Sequence, residues 1–486
     1  MKARIALLLC AMAGSALAQD EPVARSAVPP AVESAPLGAP SPGAAGLLPA
    51  AATGLPASLW RGSDPQTLDA LIGAVDPPVP VLRGLMRTLM LAEADPPGRA
   101  GDGIDHLVNR LDWLTDHGAV EEALALLDIA GTEDPRLFRH WADLSLLLGR
   151  SEPVCAQLAA RPRLSDDFSL RVFCTARGGD WMRAALILQS AETLGDLPDR
   201  RADLLARFLD QDLHETGRPL LPPVRPSPLE FRLFEALGEP LPTAPLPLPF
   251  SVLDLTGDNG WRAQIEAAER LARAGSLSAN RLLGIYTLRE PAASGGVWDR
   301  VDALQRFEDA LERGLPAGVS RSLVRLWPQM ASGRLLVPFA ELFAADLAGL
   351  ELEGRGAALA RRAAFLSPRY EELALGLDAE GATETAFLTA IARGQAPAPG
   401  APLPHAQAVA AAFDGAPMPE VLRDQLAEGR LGEVILRAMA LFSSGAEGNG
   451  QDLTDALAAL RGVGLEDVAR RAALQLVILD AERARR

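Results

Sequence analysis

From about residue 64 onward, apolar side chains recur at the three-to-four spacing that places them on one face of a helix. Ser63-Asp64-Pro65 reads as a cap followed by proline at the first helical position, and Leu68, Leu71, Ile72 and Val75 follow in phase. Further helices are predicted over 79–94, over 104–115 with Leu107, Leu111 and Leu114 on one face, and over 120–129 with Ala123, Leu124 and Leu127. Asp134-Pro135 opens another over 136–148, and two more are predicted over 180–194 and 199–209. A second helical region, 260–486, reads as 261–274, 278–288, 298–313, 318–330, 335–347, 357–366, 382–393, 405–413, 419–427, 432–443, 453–461 and 465–484. The links are short and carry Gly or Pro, so consecutive helices are expected to fold back as antiparallel hairpins. β-branched residues are sparse, which argues against a large sheet. The expected fold class is all-α: an irregular α-solenoid of antiparallel helical hairpins behind a disordered N-terminal segment.

Three stretches break this pattern. Residues 1–18 read as a secretory signal, with Lys2 and Arg4 before a short apolar core and Ala16-Leu17-Ala18 as the cleavage site. Residues 19–58 are rich in Ala, Pro and Gly and poor in apolar bulk, so they read as a disordered tether. Residues 213–259 hold Pro219, Pro222, Pro223, Pro226 and Pro228, one short helical stretch at 229–237, and a Leu-Pro run to Pro249. Proline at that density forbids a continuing helix. The segment is therefore a linker or a strap between an N-terminal helical-repeat domain (59–212) and a C-terminal helical domain (260–486).

Charge narrows the partners. The chain holds 63 acidic against 47 basic residues, a net charge of −16. No basic cluster stands out that would displace counterions from phosphate, so nucleic acid is not an expected partner. Lys2 is the only lysine. After signal removal no Schiff-base lysine, Ser-Lys dyad or phosphate-loop lysine remains. No later segment is a long uninterrupted apolar run; the best, 335–350, contains Glu341 and Asp346. The expected product is a soluble periplasmic protein with no integral membrane span.

Cys155 and Cys174 survive signal cleavage. They flank the turn Arg161-Pro162-Arg163 at similar distances, so an antiparallel hairpin brings them level, and an oxidising compartment favours their disulfide. Two separate buried thiols are the alternative.

Two phrases resemble a tetratricopeptide-type helix pair: Gly118-Ala119-Val120-Glu121-Glu122-Ala123, and Gly178-Gly179-Asp180-Trp181 followed by Ala184, Ala185, Leu188 and Ala191. No strict repeat period aligns, so the resemblance, carried by residues 100–210, implies irregular repeats. The hairpin of Cys155 and Cys174 and the phrase Pro291-Ala-Ala-Ser-Gly-Gly-Val-Trp-Asp-Arg300 resemble exported helical-repeat proteins of high-GC alphaproteobacteria. Some of these carry the label antifreeze glycopeptide-related, and the ordered residues give no support for ice binding. The architecture is also similar to the helical ring of soluble lytic transglycosylases. That family needs a Glu-Ser pair in a catalytic domain after the ring, and none with suitable surroundings occurs in the C-terminal half.

Candidate chemistry is thin. His106, His117, His140, His214 and His405 show no i,i+3 or i,i+4 pairing, so no metal is expected. Asp254, Thr256 and Asp258 suggest a calcium loop, but Asn259 and Ile265 occupy the positions that require Gly and Glu, leaving Asp258 as a helix cap. Glu121-Glu122, Asp166-Asp167 and Glu371-Glu372 fall in first turns, where acids favour the helix dipole. Trp113, Trp141, Trp181 and Trp261 read as core residues. The sharper candidate is a binding loop in which Ser294, Gly295 and Gly296 form an anion nest, Arg300 holds the ligand and Trp298 stacks on it. Its plainer reading is a link with Trp298 packed and Asp299 or Arg300 paired locally. The functional expectation is a non-catalytic periplasmic scaffold, with no cofactor, that binds a protein or cell-envelope component. A peptidoglycan-active or other hydrolase and a purely structural spacer are the alternatives.

Overall fold

A computed structural model describes residues 41–485 apart from 218, 257–258 and 376–382. The expected signal segment, residues 19–40 of the tether, and Asp258 as a cap lie outside the described residues. The fold is all-α, with no strand among the described residues.

The first run of helices is α1 (Ala50–Thr53), α2 (Pro65–Ala74), α3 (Pro80–Leu91), α4 (Ile104–Asp116), α5 (Val120–Ala130), α6 (Pro135–Leu147), α7 (Ser151–Ala160), α8 (Phe168–Arg177), α9 (Trp181–Leu194), α10 (Asp199–Leu209) and α11 (Gln211–Thr216). Their starts follow local chemistry. The carboxylates of Asp64, Asp134, Asp167 and Asp180 each accept a backbone N–H of the first turn they precede. In the proline-rich stretch α12 (Pro228–Ala236) opens with a capping box between Ser227 and Glu230.

The second run is α13 (Trp261–Ala274), α14 (Ala279–Tyr286), α15 (Val297–Glu312), α16 (Pro316–Gly333), α17 (Leu336–Ala348), α18 (Gly354–Leu366), α19 (Tyr370–Leu375), α20 (Thr383–Ala392), α21 (Ala406–Phe413), α22 (Glu420–Ala427), α23 (Leu431–Ala446), α24 (Gly450–Gly462) and α25 (Glu466–Ala484). Neighbours fold back on one another as hairpins, most extensively α23 on α24, α15 on α16, α17 on α18 and α8 on α9. α16 continues through Pro328, which removes one ladder donor without ending the helix.

Two expectations about organisation are corrected. Residues 41–58 are packed and do not extend the tether: Ala45 and Leu55 are buried, and Leu48 pairs with Ala92 beyond α3. Nor does the proline-rich segment divide two domains, since Ser41–Arg486 forms one compact unit. α12 lies on α6, where Arg232 donates to the carbonyl of Leu146 at 2.7 Å and to that of Leu147. The 3-10 helix Leu248–Leu255 packs against α13 and α4, with Phe250 buried.

The two ends of this unit also meet. α25 packs against α3, α16, α18, α20 and α24, and α2 packs against α23. Buried Gln475 on α25 accepts the Val81 N–H at 2.9 Å, and the Gly432 N–H donates to the Leu59 carbonyl at 3.0 Å. One apolar core runs from Ala45 to Ile478.

Candidate functional site

The loop singled out from sequence does not assemble a site. Ser294, Gly295 and Gly296 are exposed, but the Gly295 N–H donates to the Asp299 carboxylate at 2.8 Å, so the chain's own acid occupies the nest. Trp298 packs against Trp261, ring centroids 5.2 Å apart. Arg300 points inward and is buried. Its Nε and Nη2 donate to Oε1 and Oε2 of Glu269 at 2.8 and 2.9 Å, and its Nη1 to the Gln329 carbonyl and Ser332 Oγ at 3.0 and 3.1 Å. The Tyr286 hydroxyl donates to Glu269 Oε1 at 2.7 Å; burial first, then the Glu269 charge, pushes its pKa well above the ordinary range. Arg300 and Glu269 therefore tie α13, α14, α15 and α16 together, and the guanidinium is turned away from the loop.

The histidines are dispersed, and among the described residues no three metal-ligating side chains gather. His106 is buried with neither ring nitrogen hydrogen-bonded, and burial, with Arg110 beside it, lowers its pKa to about 3. His117 stacks on Trp113 at 4.0 Å, and His405 meets Asp480 at 2.8 Å. His140 places Nε2 2.8 Å from Asp112 and Nδ1 3.0 Å from the Arg136 carbonyl. Burial opposes its charge, but those two hydrogen bonds and the charges of Asp112 and Asp143 together raise the pKa.

Cys155 and Cys174 lie at disulfide distance, Sγ to Sγ 2.05 Å, and join α7 to α8. Beside them runs a groove of about 600 Å³ lined by Leu158, Phe168, Leu186, Ile187 and both cysteines. Its outer wall is α9, which buries only Ala184, Leu188 and Ala191. On the same helix Met182 is 85% exposed, Leu186 62% and Leu194 69%. Trp181, expected in the core, is half exposed, whereas Trp113 and Trp261 are buried and Trp141 is partly so. A helix that leaves its large apolar side chains in water forgoes roughly 1.5–3 kcal/mol for each one it does not bury. The sequence held the signal: Met182 and Leu186 are one turn apart and outside the Ala184/Leu188/Ala191 stripe, so α9 carries two apolar faces and the fold covers one.

The rim of the groove is mixed in charge, with Arg171, Asp180 and Arg183. Arg171 is spent on the carbonyl of Ser165 at 3.0 and 2.7 Å, and Asp180 caps α9 through the Arg183 N–H. The groove thus offers apolar contact over a floor that holds the Cys155–Cys174 pair. Among the described residues no helix is long and apolar enough to cross a membrane. No family model, curated protein or solved structure matches the chain.

Proposed function

We propose that the chain is a non-catalytic helical scaffold of the periplasm that docks a protein partner in the groove lined by α7, α8 and α9. The observation that carries this reading is the exposed Leu186, which lines the groove with Leu158, Phe168 and Ile187, and the exposed Met182 one turn before it on α9. Contiguous exposed apolar surface on a folded protein marks an interaction site more often than isolated exposed residues do. An amphipathic helix suits this occupant, because its apolar stripe fills a groove between two helices. The Cys155–Cys174 pair supports an oxidising compartment. The net charge of −16 supports a protein over an anionic lipid as partner.

The test is a photo-crosslinking amino acid placed at position 186 in the exported chain, with the exposed position 447 as control. A discrete adduct at 186, absent at 447 and lost when Met182→Glu is added, is expected. The same adducts at both positions, or none at 186, would reduce the protein to a spacer.

A further inference from the structure

Two cavities meet at α6. One, of about 420 Å³, is walled by Leu146, Leu164 and Leu229; the other, of about 460 Å³, by Leu147 and Phe250. Arg139 and Asp143 line both. These two residues are one turn apart on the same helix, where opposite charges ordinarily pair. Here the base precedes the acid, the weaker orientation. Neither side chain takes a hydrogen bond or ion pair with the other or with any neighbour among the described residues.

Most of the surrounding charges are engaged elsewhere; Asp116, exposed on the rim of the second cavity, is the exception. Asp112 holds His140 at 2.8 Å. Asp167 accepts the Ser169 N–H at 2.8 Å, and Asp166 faces Arg171 at 3.5 Å. Arg201 stands 4.0 Å from Glu230. Arg139 and Asp143 are the opposite charges that both cavities share: an exposed guanidinium and a half-buried carboxyl, with apolar walls on both sides. Burial pushes Asp143 up to about 6 against the pull of Arg139, His140 and Arg201, with Asp167 adding to the rise.

We propose that Arg139 and Asp143 bind the two termini of a short peptide, the Arg139 guanidinium taking its carboxylate and the Asp143 carboxylate its ammonium, with its apolar side chains in the flanking cavities. A free anion meets repulsion from a chain of net charge −16, and a free cation has no use for Arg139. A zwitterion avoids both penalties. A dipeptide spans about 7 Å. One helical turn is ~5.4 Å, so the long arginine side chain makes up the difference.

The probe is L-leucyl-L-leucine, titrated calorimetrically into the full chain at neutral pH. One saturable site is expected, with at least tenfold weaker binding of N-acetyl-leucyl-leucine and of leucyl-leucine amide. Asp143→Asn is expected to erase the penalty for the acetyl form, and Arg139→Gln the penalty for the amide. Free leucine binding as tightly would overturn the assignment of a peptide ligand. Binding is expected to weaken as pH falls below 6, where Asp143 gains a proton amid Arg139, His140 and Arg201 on one side of the balance and Asp112, Asp116, Asp166 and Asp167 on the other. No binding of any zwitterion by the wild-type chain, or equal affinity for free and blocked forms, overturns the proposal. The blocked ligands probe the folded wild-type chain directly, so these outcomes are decisive even where a variant fails to fold.

Discussion

At the scale of single residues, the interior is marked by polar groups that the fold handles in opposite ways. Arg300 and Glu269 are buried and paired, and Arg110 is buried with its Nε and Nη2 on the carbonyls of Met90 and Ala92. His106 is buried without a hydrogen bond, its ring 5.2 Å from Trp60. An imidazole held neutral in this way binds its proton better once the chain unfolds. Its contribution to stability is complete above the unfolded pKa of 6.5 and is lost as pH falls from there towards about 3. Each pH unit in that window costs about 1.4 kcal/mol. His106→Leu removes the titration. Urea unfolding at pH 7 and pH 4.5 is therefore expected to show the wild type losing about 2–3 kcal/mol more than the variant. Equal losses in the two proteins would mean that His106 is reached by water in the native state.

At the scale of elements, the cysteine hairpin gives the clearest link between sequence and structure. The turn at 161–163 brings α7 and α8 side by side with Cα atoms of Cys155 and Cys174 4.9 Å apart. Their separation of 19 residues closes a loop whose lost chain entropy is worth about 3 kcal/mol. Replacing both by alanine is expected to lower stability by about that amount with helicity unchanged, read by urea unfolding and circular dichroism. A loss below about 0.5 kcal/mol, the range of ordinary surface substitutions, would favour two independent thiols. Helix starts are legible in the sequence for the same local reason as this hairpin: Asp64, Asp134 and Asp180 act on N–H groups two or three residues away. The Ser294–Arg300 loop misleads because its decisive partners are distant: Glu269 lies 31 residues from Arg300 along the chain. The exposed face of α9 escapes a sequence reading for a related reason. Apolar periodicity reports that a helix has a face to bury, and does not say which neighbour, if any, the fold supplies for a second one.

At the scale of the whole Ser41–Arg486 unit, the ends decide how it comes apart. An open repeat array frays from its termini because each repeat touches only its neighbours. Here the segment before α2 is seated on α23 near the other end of the chain. Trp60 is fully buried, and the Leu59 carbonyl accepts the Gly432 N–H at 3.0 Å. That approach depends on Gly432 having no side chain, since a Cβ there would lie 2.4 Å from the Trp60 ring. Gly432→Ala therefore drives a wedge between the two ends, at a cost of about 1–3 kcal/mol. Because the same core continues through α3, α25 and α18, the loss should be felt throughout: one calorimetric transition at a lower temperature, with hydrogen exchange rising together in 55–63 and in α25. Two separated transitions, with exchange raised in 55–63 alone, would show that the N-terminal segment is a detachable flap and that the remainder holds its shape without it.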